Sequence, residues 1–206
     1  MRFYRPLPRD EEINISSKKI IVSKTDISGR ILYVNDYFCT VSGYEASEVV
    51  GAPHSILRHP DMPRAIFYLM WQSIQNGDNV TAIVKNLAKS GKYYWVTTDF
   101  EIHRDDMGRI ESYIAFRRAA AAKAIEAVEE LYAQLLLIEK KHGMLASLVY
   151  LKGYLNERDT TYSEFMDGLV KPKSLMEKLF SLMKNRFYHT SSSNNNNYSD
   201  RDREVA

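Results

Sequence analysis

The sequence predicts an α+β fold: a five-stranded antiparallel sheet with short helices on one face, followed by a C-terminal helical extension. Three observations predict it. Two short β-branched runs open the chain, and three longer ones stand between residues 80 and 116. Between those groups, apolar residues recur at helical rather than alternating spacing. Glycine-containing turns join the runs within each group, which makes neighbouring strands antiparallel and leaves the helical block over one face. A concave space between sheet and helices follows from that layout.

Residues 19–23 read as the first strand and 31–34 as its hairpin partner, with a turn over 25–29 that ends on Gly29. Residues 36–44 carry Tyr37, Phe38 and Val41 and meet Gly43, the pattern of one short helix closed by glycine; 47–50 add one more turn. A longer helix spans 62–74, where Met62, Ala65, Ile66, Leu69, Met70 and Ile74 share a face and Pro63 sits near the first turn. Strands follow over 80–87, 93–103 and 110–116, punctuated by Lys89-Ser90-Gly91 and by Asp105 to Gly108.

After residue 118 the texture changes. Residues 119–141 hold strong helix formers and neither glycine nor proline, with Ala121, Ala124, Val128, Leu131, Leu135 and Ile138 in a short a/d stripe. That stripe suits either a partner helix or an amphipathic helix folded back on its own sheet or on residues 144–155. Further helices are expected over 144–187, broken near 156–160 and at Pro172, and the serine- and asparagine-rich tail over 188–206 is expected to be disordered. The domain plan is an N-terminal segment (1–14), a sensor domain (15–118), a helical interaction region (119–187) and the tail.

Lysine plus arginine number 28 and aspartate plus glutamate 26, so neither nucleic acid nor an anionic membrane is an expected partner. Cys39 is the one cysteine, which rules out an internal disulfide and fits a reducing, cytoplasmic setting. Residues 1–14 are charged and proline-broken, unlike a signal peptide, and no apolar run approaches the roughly 20 residues that cross a bilayer. No phosphate-binding glycine loop and no paired nucleophile and base stand out, so catalysis is not expected.

The richest stretch is Arg58-His59-Pro60-Asp61-Met62-Pro63, followed by Phe67 and Trp71. Together with residues 26–35, Val41-Ser42-Gly43-Tyr44, Lys85-Asn86 and Tyr94-Trp95-Val96, it resembles the PAS domain of the Aer aerotaxis receptors and the related CetB energy-taxis proteins. The likeness covers residues 15–118, about half of the chain. It implies a PAS fold, noncovalently held FAD and redox- or oxygen-linked energy sensing. By resemblance, Arg58, His59, Asp61, Phe67, Trp71 and Asn86 shape the flavin site, with Asn35 and Trp95 beside them.

The residue chemistry is compatible with that, and also with plainer roles. Phe67 and Trp71, four apart, share a helix face and suit stacking on a ring, or simple core packing. Asn86 offers a donor and an acceptor to a mixed ring edge, or is an outward polar residue on its strand. Arg58 suits a flavin phosphate or a brace to Asp61. Cys39 invites comparison with light-sensing LOV domains, but the surrounding Asn35 to Val41 lacks their asparagine-cysteine-arginine-phenylalanine motif. Two alternatives stay open: a haem-binding PAS gas sensor with His54, His59 or His103 as axial ligand, and a cofactor-free PAS interaction module.

Aer receptors carry a membrane anchor and a signalling rod that this sequence lacks, so the likeness implies the split arrangement of CetB. There the PAS protein passes a conformational signal to a separate membrane-bound transducer of methyl-accepting type, and reaches the inner face of the membrane only through it. Residues 119–187 are the expected docking region, and the sheet or flanking helix a candidate homodimer surface. Cutting the chain after Arg118 is expected to spare flavin retention and abolish partner capture.

Overall fold

The computed structural model describes residues 5–170 and, beyond them, Met183, Lys184 and Arg186. Met1–Lys171 form one compact unit and Pro172–Ala206 a second, of which the three described residues are helical. The expected tail over 188–206 and most of 171–187 lie outside the described residues.

Strands β1 (Ile21–Asp26), β2 (Ile31–Val34), β3 (Val80–Leu87), β4 (Tyr93–Arg104) and β5 (Ile110–Ala119) form one sheet in the order β2-β1-β5-β4-β3, antiparallel throughout. The first strand runs later than the alternation suggests, to Asp26. The Asp26 carboxylate accepts the backbone N–H groups of Ser28 and Arg30, so the turn is built by that side chain and starts after it. Pairing with β5 accordingly continues to Asp26 opposite Ser112.

Four short elements cover one face: α1 (Asp36–Ser42), α2 (Ala46–Val49), a single 3-10 turn (His54–Leu57) and α3 (Arg64–Asn76). Asn35 caps α1 by accepting the Phe38 N–H, and Gly43 closes it at φ 72°. Helix α3 starts behind Pro63, ends on Gly77 at φ 96°, and buries Ala65, Ile66, Met70 and Ile74 against the sheet. Alternation along the strands then sorts their side chains. Ser23, Val84, Asn86, Thr98 and Arg117 face the helical block, whereas Ile83, Trp95, Thr97 and Phe116 face away.

That second face is covered as well. Helices α4 (Ala122–His142), α5 (Met144–Asn156) and α6 (Tyr162–Val170) follow β5 directly, and α4 folds back rather than projecting. The Tyr132 ring stacks on Trp95 with centroids 6.4 Å apart, and its hydroxyl donates to the Ile83 carbonyl of edge strand β3 at 2.9 Å. Of the a/d stripe, Ala124, Val128, Leu131 and Leu135 are buried, with Tyr132 beside them, while Ala121 is exposed and Ile138 half-buried. Of the two readings the stripe allowed, the intramolecular one is the one observed.

The N-terminal segment runs alongside the start of β4, where the Arg9 N–H donates to Gly91 O and the Ile13 N–H to Tyr93 O, each at 2.7 Å. A side chain at position 91 would place its Cβ 2.3 Å from Leu7 O, so only glycine lets the segment approach there.

Candidate functional site

Between the sheet and α3 lies a cavity of about 350 Å³, within the usual range for small-molecule sites. Helical periodicity puts Phe67, Met70, Trp71 and Ile74 of α3 on one wall. The opposite wall comes from the inward residues of four strands, among them Thr25, Val84, Phe100 and Tyr113. Trp71 is set from two sides: it meets Tyr113 edge-on with centroids 5.8 Å apart, and lies over Gly29, where a Cβ would stand 2.8 Å from its ring. The turn built by Asp26 is therefore also the seat of the tryptophan.

The polar groups on these walls are unusual for a core. Asn86 is buried, and its Nδ2 has no hydrogen-bond partner of good geometry, although the side chain lies near the Tyr94 hydroxyl, whose pKa burial raises against the smaller opposing effects of Arg117 and Asn86. Thr98 Oγ1 is buried and unpaired too. Such groups normally find partners, because a buried polar atom without one costs about 1–3 kcal/mol. Two of them facing one cavity amount to a site that a ligand with acceptors and donors would complete.

Beside them Arg117 is 2% exposed. Its Nη1 donates to Ser23 Oγ at 2.9 Å and its Nη2 reaches His54 Nε2 at 2.8 Å; no carboxylate among the described residues pairs with it. Since a guanidinium can only donate, His54 Nε2 accepts and the imidazole is neutral, with its proton on Nδ1. Burial, and then the neighbouring Arg117 charge, push His54 down to about 3. Burial likewise lowers Arg117, to about 10, with nearby Tyr94 opposing. The wall thus carries a positive charge without an acid, flanked by a histidine that cannot share the charge.

A pH dependence follows. Unfolded, His54 returns to 6.5, so between that value and about 3 the unfolded chain binds a proton the fold does not. Stability present above pH 6.5 is lost as pH falls, by about 2 kcal/mol from pH 7 to 5 for this group. His54→Gln accepts from Arg117 without titrating and is expected to remove that share in urea unfolding. An identical loss in both proteins would assign the acid sensitivity elsewhere.

Of the residues the resemblance singled out, Arg58, Phe67, Trp71 and Asn86 line the cavity. Arg58 lies over the Phe67 ring at 5.3 Å and donates to Met62 O. The other four lie elsewhere. Asn35 is a structural cap, holding Val22 N–H and Ile20 O as well as Phe38 N–H. His59 is buried edge-on against Tyr93, its Nδ1 accepting the Asp61 N–H. Asp61 is exposed and paired with Lys85 at 2.9 Å; burial raises its carboxyl, but the Lys85 hydrogen bond and charge prevail and hold it low. Together they clasp the 58–62 loop to β3, where the backbone of Arg58 bridges Asn86. Trp95 faces the opposite side, against Tyr132.

The sequence reading missed Ser23, Thr98 and Arg117, and weighed His54 only as a haem ligand. Alternation along β1, β4 and β5 was the signal available for the first three. For haem, only His54 of the three histidines faces the cavity; its Nε2 is engaged by Arg117, His59 points elsewhere, and His103 pairs with Glu111. A guanidinium 2.8 Å from the ligating nitrogen is unfavourable to a metal cation. Cys39, in α1, is not on the cavity wall.

A family model described as the PAS fold matches residues 31–117. Over 152 residues the chain is 35% identical to the aerotaxis receptor of Escherichia coli, covering 74% of this chain and 30% of that receptor. It is 27% identical over 104 residues to a nitrogen fixation regulatory protein of Klebsiella pneumoniae, covering 50% of this chain and 21% of that one. Among solved structures, the PAS domain of a Colwellia psychrerythraea protein matches at 20% identity and a TM-score of 0.45, covering 48% of this chain and 85% of that chain. The chain spans less than a third of the length of the curated relatives named here. Among the described residues, no helix is long and apolar enough to cross a membrane.

Proposed function

Because the chain carries a PAS domain related to that of an aerotaxis receptor, we propose that it is a sensor whose cavity holds FAD and whose walls respond to the electron count of the flavin. The observation that carries this reading is the acid-free Arg117 guanidinium on the same wall as the unpaired Asn86 and Thr98 groups. When bound, a flavin supplies a ring whose charge and hydrogen-bonding pattern change on reduction. Arg117 is suited to favour the more negative form of such a ring, and Asn86, able to donate and accept, to re-pair as the pattern changes. Neutral His54 keeps Arg117 aimed without cancelling its charge. Phe67 and Trp71 supply the flat apolar contact that a fused ring system needs.

A cavity of about 350 Å³ takes a ring system rather than a whole dinucleotide, so the phosphates belong at the mouth. Exposed Ser28, Pro53 and Ser55 rim that opening, with the Arg58 side chain on the wall and Arg5 bonded to the Ser55 carbonyl. These two cations favour a phosphate-bearing flavin. The chain's role is sensing rather than catalysis, with its output passed as a change of conformation to a separate membrane-bound transducer.

The test is to purify the protein, record its absorption and identify the released cofactor by chromatography. Two broad flavin bands and FAD in near-equal amount with protein are expected. A colourless protein that takes up no added FAD, or a sharp haem band, would overturn the reading.

A further inference from the structure

Helix α3 begins with an uncapped end: Pro63 stands at its N-cap and gives no side-chain hydrogen bond. The first N–H groups of a helix have no partner within it, and that of Ala65 has no access to water, since the residue is wholly buried. Both are satisfied from the far end of α4. One carboxylate oxygen of Glu139 accepts the Arg64 N–H at 3.0 Å and the other the Ala65 N–H at 2.8 Å. Within its own helix Glu139 is misplaced, because an acid near a C-terminus opposes the helix dipole, and Lys140, Lys141 and His142 beside it follow the usual preference. Its favourable interactions are with the α3 N-terminus and, through charge, with Arg58 just before it.

Seven residues earlier on α4, two turns away on the same face, Tyr132 holds the Ile83 carbonyl of β3. One rigid rod therefore grips both cavity walls: α3, which carries Phe67 and Trp71, and β3, which carries Val84 and Asn86. We propose that Glu139 is a positioning residue for the cavity, and that its grip on the α3 N-terminus makes docking of α4–α6 and occupancy of the cavity a single equilibrium. The proposal rests on the flavin reading above. A ligand that shifts α3 relative to β3 must lengthen one of the two contacts, and by thermodynamic reciprocity a loosened α4 weakens the ligand.

The test uses the full chain with added FAD, comparing the native protein with Glu139→Ala, Glu139→Gln and Tyr132→Phe. Two quantities are read: FAD affinity by fluorescence titration, and the change in amide hydrogen exchange of α4–α6 between free and FAD-saturated protein. Glu139→Ala is expected to weaken FAD roughly five- to fiftyfold and to reduce the FAD-dependent change in exchange severalfold even at saturation, the remainder passing through the packing of α3 on α5. Glu139→Gln, which keeps one acceptor, falls between, and it carries the test if the alanine variant does not fold. Tyr132→Phe is expected to reduce the FAD-dependent change less than Glu139→Ala does, because the α3 contact survives. Native affinity and a native exchange response in both Glu139 variants would overturn the coupling while leaving the flavin reading intact. Failure of the native protein to bind FAD would overturn both.

Discussion

Replacing Arg117 by leucine is expected to lower the reduction potential of bound FAD by about 30–65 mV. Arg117 is the one described cation buried in the cavity wall without a carboxylate, and it contributes most where the ring carries most negative charge. A hydrogen bond to a charged group is worth about 1.5–3 kcal/mol, and 30 mV of a two-electron couple corresponds to about 1.4 kcal/mol. The sign is fixed by the charge: removing a cation disfavours the reduced form. Leucine keeps an apolar wall, so thermal unfolding serves as the control for folding. Arg117→Lys retains the charge and is expected to recover most of the potential. Spectroelectrochemistry of the three proteins measures the shift, and equal potentials in all three would place the guanidinium away from the ring.

Cutting the chain after Ala121 is expected to leave a fragment that does not fold cooperatively, contrary to the self-sufficient sensor domain that the sequence suggested. The cut removes Val128, Leu131, Tyr132 and Leu135, all buried, and uncovers Ile83 and Trp95 on the second face of the sheet. Each of those buried side chains contributes about 1.5–3 kcal/mol, which together rivals the 5–15 kcal/mol stability of a typical domain. It also frees the α3 N-terminus. Thermal unfolding followed by circular dichroism separates the outcomes: a soluble fragment with the full chain's midpoint and FAD content would show that α4–α6 are dispensable to the fold.

Much of this architecture was legible because local signals agreed. The 3.6-residue spacing that brought Phe67 and Trp71 to one face of α3 is a property of the sequence, and so are the glycines that end α1 and α3. The polar half of the cavity was not legible. Whether a strand residue points to a cavity or to the far face depends on register, which long-range pairing sets. Arg117 sits next to Arg118 at a strand end and reads as part of a solvated basic pair, yet it is almost wholly buried. Register also separates Asn86, opposite Tyr94 on the cavity side, from Trp95, opposite Lys85 on the other. His59 and Asp61 cluster with Arg58 in sequence, whereas the loop turns them away from the cavity, where they clasp β3. Asn35 had a readable signal in the cap preference of asparagine before a helix. The α4 stripe could not be decided by periodicity, since an intramolecular and an intermolecular partner demand the same face.

A crystal structure of the full chain with FAD tests the central claim most directly. Density for three fused rings is expected between Trp71 and the Asn86 strand, with a ring edge within hydrogen-bond distance of Arg117 and Asn86 and the phosphates at the Ser55 rim. A cavity filled by the protein's own side chains, or a flavin bound anywhere else, would contradict it.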